Sequence, residues 1–215
     1  VELFNQTKAP KGLLNLLNGD KDVVNNLIQD KRIKAVSFVG STPVAQKIYE
    51  SSSISGKRCQ ALGGAKNHAL VLPDANIDYA TDQLISAAFG SSGQRCMALS
   101  VAVVFRDIKE EFNKSLKEKV SKLKFGSEDL NLNSFGPLVS KEHLESVKQN
   151  INLAEEEGSL ILLDGRDAIN RKNSDNGYFI GPTLIDKVNP SMKSYENEIF
   201  GPVLQIIEVN SMDEA

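Results

Sequence analysis

The chain has 215 residues, of which 40% are hydrophobic and 25% charged, and its formal net charge at pH 7 is −3. These values are typical of a globular protein with one large or two small domains, and the charge gives no reason to expect nucleic acid or an anionic membrane as a partner. Two cysteines and two histidines without close pairing indicate neither a disulfide framework nor a metal site, which fits a reducing compartment.

The two ends of the chain resemble interrupted helices. The sequence starts without Met as Val1-Glu2-Leu3-Phe4-Asn5, which is typical of the tail of a helix, and it stops at a capped helix start over 211–215. We therefore expect a piece of a longer protein. No apolar run reaches the length of a membrane span, and no signal-peptide pattern is present.

The first half of the chain predicts alternating helices and strands. Helices are indicated by apolar residues at helical spacing behind a capping residue, and strands by short apolar runs that end at glycine or proline. In chain order the predicted elements are a helix over 20–28, a strand over 35–39, a helix over 41–49, strands over 58–62 and 69–72, and a helix over 77–88.

The second half continues the alternation. The predicted elements are a strand over 100–105, helices over 108–123 and 144–154, a strand over 160–163, a polar surface loop over 164–178, and strands over 178–184 and 203–209. Alternating strands and helices favour an α/β fold with a largely parallel sheet. A change of composition near 63–66 is the best candidate hinge, and it predicts two domains over 1–64 and 65–215.

Gly93-Gln94-Arg95-Cys96 is the most informative motif. A cysteine behind a Gly-Ser-Ser-Gly-Gln turn is presented with room for a substrate, and the neighbouring arginine favours a thiolate and offers paired donors to a carboxylate. A buried structural cysteine is an equal alternative on this motif alone, because free cysteine is among the most buried residue types.

A second motif, Gly40-Ser41-Thr42-Pro43, joins a strand to a helix. The free N–H groups at a helix start suit a phosphate, and the Ser41 hydroxyl can add one hydrogen bond. Ser-Thr-Pro is also an ordinary helix cap, so the motif alone favours capping over binding.

Four blocks in order resemble the aldehyde dehydrogenase superfamily, and the similarity runs through nearly the whole chain. The blocks are Phe38-Val39-Gly40-Ser41-Thr42, Leu62-Gly63-Gly64-Ala65-Lys66, Gly93-Gln94-Arg95-Cys96 and Glu198-Ile199-Phe200-Gly201-Pro202-Val203. The resemblance implies that 1–64 is the C-terminal part of a Rossmann-type NAD-binding domain and that 65–215 is most of an α/β catalytic domain.

Further matches are similar to the methylmalonate-semialdehyde dehydrogenase branch, over 64–68, 73–76 and 93–100. That branch implies NAD-dependent oxidation of malonate or methylmalonate semialdehyde, with coenzyme A as co-substrate. The acyl group passes through a Cys96 thioester, and decarboxylation yields acetyl-CoA or propanoyl-CoA. The resemblance also implies a homodimer or homotetramer in the cytoplasm, or in the mitochondrial matrix of a eukaryote.

The same resemblance implies roles for single residues. Cys96 is the nucleophile, and Arg95 binds the substrate carboxylate or, alternatively, forms a structural ion pair. The expected cofactor contacts are Ser41 at the pyrophosphate, Gly63 near the nicotinamide, Glu198 at the nicotinamide ribose and Phe200 beside the ring.

Two departures from the family pattern stand out. Hydrolytic relatives carry a glutamate that activates water, and counting back from Cys96 places that position at Leu62, which cannot accept a proton. A CoA thiol needs less activation, so leucine is consistent with transfer to CoA. Ala45 replaces a common glycine, a small-for-small change of little expected consequence.

Two other functions remain open at this stage. A thiol hydrolase would need a histidine base near Cys96, and neither His68 nor His143 has a recognisable local signature. A non-catalytic descendant, or an inactive fragment acting in structure or binding, is the other alternative, which the intact Cys96 and Glu198 oppose.

Overall fold

The chain forms two compact units. The computed structural model describes residues 1–126, 135–167 and 177–215, and the units are Val1–Gly64 and Ala65–Ala215. Their boundary falls at the predicted hinge, while the function assigned to each unit remains a prediction. Most of the predicted polar loop, 168–176, lies outside the described residues.

The first unit is built around a parallel strand pair and its crossover helix. Its elements are α1 (Glu2–Asn5), α2 (Lys21–Gln29), β1 (Ala35–Val39), α3 (Thr42–Ile54) and β2 (Arg58–Leu62). Strands β1 and β2 pair in parallel, from Ala35 opposite Arg58 to Val39 opposite Leu62.

Helix α3 is longer than the sequence pattern predicts. It continues past Tyr49 to Ile54 and ends where Gly56 adopts a φ of 64°. The Gly56 N–H donates to Ser53 O at 3.0 Å and the Lys57 N–H to Ser52 O at 2.9 Å, a paired closure that satisfies the last carbonyl groups. The glycine, rather than the end of the apolar spacing, therefore ends the helix.

The second unit contains a five-stranded sheet covered by helices. Its elements are β3 (Asn67–Val71), α4 (Ile77–Phe89), β4 (Leu99–Phe105), α5 (Arg106–Val120), α6 (Lys141–Glu156), β5 (Leu160–Leu163), β6 (Thr183–Asp186), α7 (Lys193–Glu196) and β7 (Val203–Val209). The strand order is β3-β4-β7-β6-β5, with only β5 antiparallel to its neighbour among the described pairs. The prediction of an α/β fold with a largely parallel sheet is confirmed.

The predicted strand over 178–184 is wrong in its bounds. Strand β6 begins at Thr183 and runs to Asp186. It does not begin earlier because Pro182 has no N–H to donate to a neighbouring strand, and the Gly181 N–H donates to Gly165 O at 2.9 Å. Tyr178 forms only an isolated bridge with Leu138.

The core of the second unit lies on both faces of the sheet. Successive side chains of β4 point to opposite faces, so Val101 and Val103 pack with α6 while Ala102 and Val104 pack with α4 and α5. All four of these strand residues are buried. Among the described residues, no helix is both long enough and apolar enough to cross a membrane.

Candidate active site

Three parallel strands begin at the same edge of the sheet, and the candidate residues directly precede them. Lys66 precedes β3, Cys96 lies three residues before β4, and Glu198 lies five residues before β7. Because β3, β4 and β7 are adjacent and parallel, their leading loops meet at one edge. The topology thus brings together residues up to 132 positions apart, from 66 to 198.

Cys96 is exposed, and its thiol is free. Asn67 at the start of β3 fixes the backbone around it: Nδ2 donates to the carbonyl oxygens of Cys96 and Ala98 at 2.8 and 3.0 Å. The sheet partner therefore holds the cysteine's main chain and leaves its sulfur accessible. The alternative of a buried structural cysteine is wrong.

The turn before Cys96 has a left-handed backbone over three residues. Ser91, Ser92 and Gly93 have φ angles of 53°, 58° and 67°. Positive φ is uncommon for serine and is kept only where the surroundings hold it. Here the Ser92 hydroxyl donates to Gly136 O at 2.6 Å.

Gly93 allows the cysteine loop to touch the loop of Glu198. A Cβ at Gly93 would lie 2.2 Å from the Gly201 carbonyl oxygen, closer than any real side chain tolerates. The two loops therefore pack backbone against backbone at this point.

Gln94 binds a third loop with both ends of its amide. Nε2 donates to Pro137 O at 3.2 Å, and Oε1 accepts from the Val139 N–H at 3.0 Å. The residue predicted only as part of a turn thus connects the cysteine loop to 136–139.

Arg95 is exposed, and one arm of its guanidinium holds the end of helix α4. Nη2 donates to Ser86 O at 2.9 Å and to Ala87 O at 3.3 Å. The negative end of the helix dipole favours a cation there. Within the described residues, Nη1 and Nε make no hydrogen bond to the chain, so the substrate role stays a prediction and a structural role is also present.

The loop that carries Glu198 and Phe200 is held by two side chains from outside it. Lys66 Nζ donates to Asn197 O at 2.7 Å, and the His143 ring nitrogen Nε2 lies 2.7 Å from Phe200 O. Phe200 has a φ of 55° and is 37% exposed. Burial lowers the pKa of Lys66 to about 8, and the nearby Glu198 carboxylate opposes that shift.

In the first unit, Ser41 and Gly63 lie around the start of α3. Ser41 occupies the N-cap position, and its hydroxyl makes no capping bond within this fully described unit. A Cβ at Gly63 would lie 2.9 Å from Thr42 Oγ1, and the same oxygen accepts from the Gly64 N–H at 2.9 Å. An uncommitted hydroxyl at the positive end of a 13-residue helix suits an anion.

Among the described residues, the two histidines form no competing site with Cys96. His68 Nδ1 lies 2.7 Å from Lys66 O, and Nε2 lies 2.7 Å from the Tyr195 hydroxyl. In the described ranges neither histidine hydrogen-bonds to Cys96, and no group of three or more His, Cys, Asp or Glu side chains could hold a metal ion.

Sequence reasoning missed three residues that build the site in the second unit: Lys66, Asn67 and His143. Asn67 follows directly after the glycine block, and that position was its only local signal. Lys66 and His143 carry no local signal for their roles, because their partners are carbonyl groups more than 50 positions away.

Comparison with known proteins gives the same family over the whole chain. The model of the aldehyde dehydrogenase family matches residues 1–215. A malonate-semialdehyde dehydrogenase of Bacillus cytotoxicus is 47% identical over 214 residues, which cover 100% of this chain and 44% of that protein. The chain thus spans less than half the length of this relative.

Solved structures agree with this match. The crystal structure of methylmalonate-semialdehyde dehydrogenase from Oceanimonas doudoroffii superimposes with a TM-score of 0.94 at 51% identity, covering 99% of this chain and 43% of that one. A candidate methylmalonate-semialdehyde dehydrogenase from Sinorhizobium meliloti, complexed with NAD, gives 0.95 at 41% identity, with coverages of 99% and 43%. The fold is that of aldehyde dehydrogenases, and the chain belongs to the aldehyde dehydrogenase family.

Proposed function

We propose that the whole protein oxidises malonate or methylmalonate semialdehyde with NAD and transfers the acyl group to coenzyme A with decarboxylation. The names of the similar proteins support the aldehyde substrate. The proposal of transfer to CoA is based on Leu62, which stands where hydrolytic relatives carry a water-activating glutamate.

The observation that carries the proposal is the presentation of Cys96. Its backbone is fixed through Asn67, its thiol is exposed, and its loop packs against the loop of Glu198 and Phe200 through the Gly93–Gly201 contact. A nucleophile held on a fixed main chain reacts with less loss of orientational freedom.

The chemistry begins with attack of the Cys96 thiolate on the aldehyde carbon. A carbon–sulfur bond forms, the carbonyl electron pair moves to oxygen, and the Cys96 backbone N–H helps to stabilise that oxyanion. Oxidation leaves the acyl group on Cys96 as a thioester. The substrate carboxylate then leaves as CO₂, or as bicarbonate after hydration, and the carbon that carried it takes up a proton. Attack by the CoA thiol on the thioester carbon displaces the Cys96 thiolate and releases acetyl-CoA or propanoyl-CoA.

The residues present fit NAD in each unit separately. Ser41 and the start of α3 suit the pyrophosphate, and the main chain at Gly63 lies so close to Thr42 that no side chain fits between them. Glu198 can accept from ribose hydroxyls, and the partly exposed Phe200 ring can pack on a flat heterocycle. When bound, NAD supplies the acceptor for the hydride.

The preference for CoA over water follows from a missing base. Leu62 is 49% exposed at the end of β2, and Ala61 directly precedes the Leu-Gly-Gly block. Neither side chain accepts a proton, so water receives no activation from this position. The CoA thiol is partly ionised near neutral pH and attacks without such help.

Arg95 is proposed to bind the substrate carboxylate with the donors that α4 leaves free. Nη2 is committed to Ser86 O, while Nη1 and Nε remain on an exposed side chain. A guanidinium matches a carboxylate with two parallel hydrogen bonds.

The test is a steady-state assay of the complete protein with malonate semialdehyde and NAD, with CoA present or omitted. We expect turnover to depend on CoA, and Cys96→Ser to lower kcat by about a thousandfold or more. Intact-mass spectrometry without CoA should show an acyl adduct on the wild type and none on Cys96→Ser.

Cys59→Ser is the matched control, since Cys59 is the other free cysteine and lies in the first unit. Turnover that survives Cys96→Ser would overturn the proposal. Cys96-dependent hydrolysis of an ester of the same acid, with no NAD-dependent acyl adduct from the aldehyde, would favour a thiol hydrolase. A complete protein with neither adduct nor turnover would favour a non-catalytic role.

A further inference from the structure

The loop 197–200 has a conformation that its own sequence does not favour. Phe200 adopts a φ of 55°, although a bulky side chain strains that region of backbone space. Such a residue keeps its geometry only where surrounding contacts over-determine it. The contacts that do so here come from Lys66, directly before β3, and from His143 on α6.

Lys66 holds the first residue of the loop. Its Nζ donates to Asn197 O at 2.7 Å and lies 3.4 Å from Ser194 O, with the Tyr195 ring centroid 5.9 Å away. An ammonium group bonded to main-chain carbonyls acts on backbone conformation, whereas an ordinary surface lysine points into water.

His143 holds the last residue of the loop. Its Nε2 lies 2.7 Å from Phe200 O, and since a carbonyl oxygen only accepts, Nε2 carries the proton and donates. The imidazole also meets the Phe200 ring edge to face at a centroid distance of 6.1 Å. His143 is itself oriented by the first turn of α6, where its N–H donates to Ser140 Oγ at 3.1 Å.

Between these two anchors Ile199 is buried, which fixes the middle of the loop to the core. Glu198 is therefore flanked by one held carbonyl before it and a buried side chain after it. The loop has contacts at both ends and at its centre that do not involve a ligand.

We propose that Lys66 and His143 are positioning residues that set the loop 197–200, and with it Glu198 and Phe200, in the NAD-binding conformation before the cofactor arrives. The inference rests on the proposed function for the identity of the cofactor. Its structural part, that two donors from outside the loop hold its backbone, stands on the distances alone.

The experiment uses the complete protein and pairs of variants that separate the donor from the bulk of the side chain. Lys66→Met and His143→Phe remove the donor and keep the stem or the ring, whereas Lys66→Arg and His143→Gln retain an N–H donor. Glu145→Gln, exposed on the same helix α6, is the control.

Two measurements are made. Hydrogen exchange of the peptide 193–201 is followed by mass spectrometry in the absence of NAD, and the NAD dissociation constant is measured by isothermal titration calorimetry. We expect faster exchange and an approximately tenfold weaker NAD affinity for Lys66→Met and for His143→Phe, the effect of about one lost hydrogen bond. Lys66→Arg and His143→Gln should keep most of the slow exchange and most of the NAD affinity of the wild type.

Unchanged exchange in the donor-free variants would overturn the inference and leave the proposed function intact. Faster exchange with unchanged NAD affinity would overturn it as well, because the loop would then move without consequence for the cofactor. A wild type that shows no NAD binding would remove the proposed cofactor and the inference together.

Discussion

At the scale of single residues, backbone geometry decides where the Cys96 thiol lies. Gly93 has a φ of 67° and comes so close to Gly201 O that no side chain fits. The glycine therefore serves both the turn before Cys96 and the contact between two loops.

Gly93→Ala should destabilise the protein by about 2 kcal/mol or more and should lower turnover more than stability alone explains, because the clash moves the cysteine loop. Urea unfolding and the steady-state assay measure the two effects. Gly158→Ala is the control, since its φ is 92° but nothing lies within 4 Å of the added Cβ. Equal effects of both changes would contradict the role of the contact.

Lys66 gives a prediction with a defined pH window. Burial lowers its pKa to about 8 from an ordinary value of 10.5, so between these values the unfolded chain binds the proton more strongly than the folded one. Stability from this residue should therefore rise between pH 8 and 10.5.

Urea midpoints of wild type and Lys66→Met, measured from pH 7 to pH 10, test this sign. The urea midpoint of the wild type should rise relative to that of Lys66→Met as the pH rises through 8, because methionine has no proton to lose. Lys141→Met, which changes an exposed lysine, should show no such trend. The prediction would be refuted if the midpoint of Lys66→Met rose relative to that of the wild type over this pH range.

At the scale of elements, an ion-pair network joins α5 to β6 and β7. Lys109 Nζ lies 2.8 Å from Asp186 Oδ1 and 3.2 Å from Glu208 Oε2, and Asn113 Nδ2 donates to Asp186 Oδ2 at 3.0 Å. Burial acts to lower the pKa of Lys109, but the hydrogen bonds and charges of Asp186 and Glu208 raise it overall. The helix is thereby fixed in register with two strands.

Asp186→Asn should cost about 3 kcal/mol, because it leaves the largely buried Lys109 without its principal counter-charge. Asp107→Asn is the control, since Asp107 is exposed and lies on α5 with Lys109, and it should change the stability little. The deficit should shrink as pH rises above the ordinary lysine pKa of 10.5 towards the raised folded value, where wild type also loses the pair. Urea denaturation at pH 7 and pH 11 measures the loss of stability and its change with pH. Equal stability of Asp186→Asn and Asp107→Asn at pH 7 would contradict the prediction.

At the scale of the whole molecule, the two units differ in how much core they contain. In Val1–Gly64, which is described throughout, the buried apolar side chains are Ile28, Ala45 and Ile48. The second unit buries apolar side chains on both faces of a five-stranded sheet. Small units with little buried area are marginal on their own.

Residues 65–215 alone should therefore unfold cooperatively with nearly the same urea midpoint as residues 1–215, while residues 1–64 alone should show little structure. Circular dichroism during urea titration measures both. A urea midpoint for 65–215 well below that of the 215-residue chain would show that the first unit supports the second, against this expectation.

Much of the fold follows from local sequence because its signals are local. Asp20, for example, starts α2 and accepts a hydrogen bond from the Asp22 N–H at 3.1 Å, and apolar spacing marks the helices of the second unit. Helix α7 was not predicted, because its four residues are held by Glu157, whose carboxylate accepts from the N–H groups of Lys193 and Ser194.

The sequence by itself determined the alternation of strands and helices, the family resemblance and the choice of Cys96 as the candidate nucleophile, since each depends on residue types at short spacing. Only the tertiary structure decided that Asn67 holds Cys96, that Arg95 closes helix α4, and that Lys66 and His143 grip one loop. Those contacts join side chains to main-chain carbonyls, and every residue has a carbonyl. A sequence pattern therefore cannot indicate which carbonyl a side chain binds. That pairing is set only when the parallel strands place the loops at one edge of the sheet.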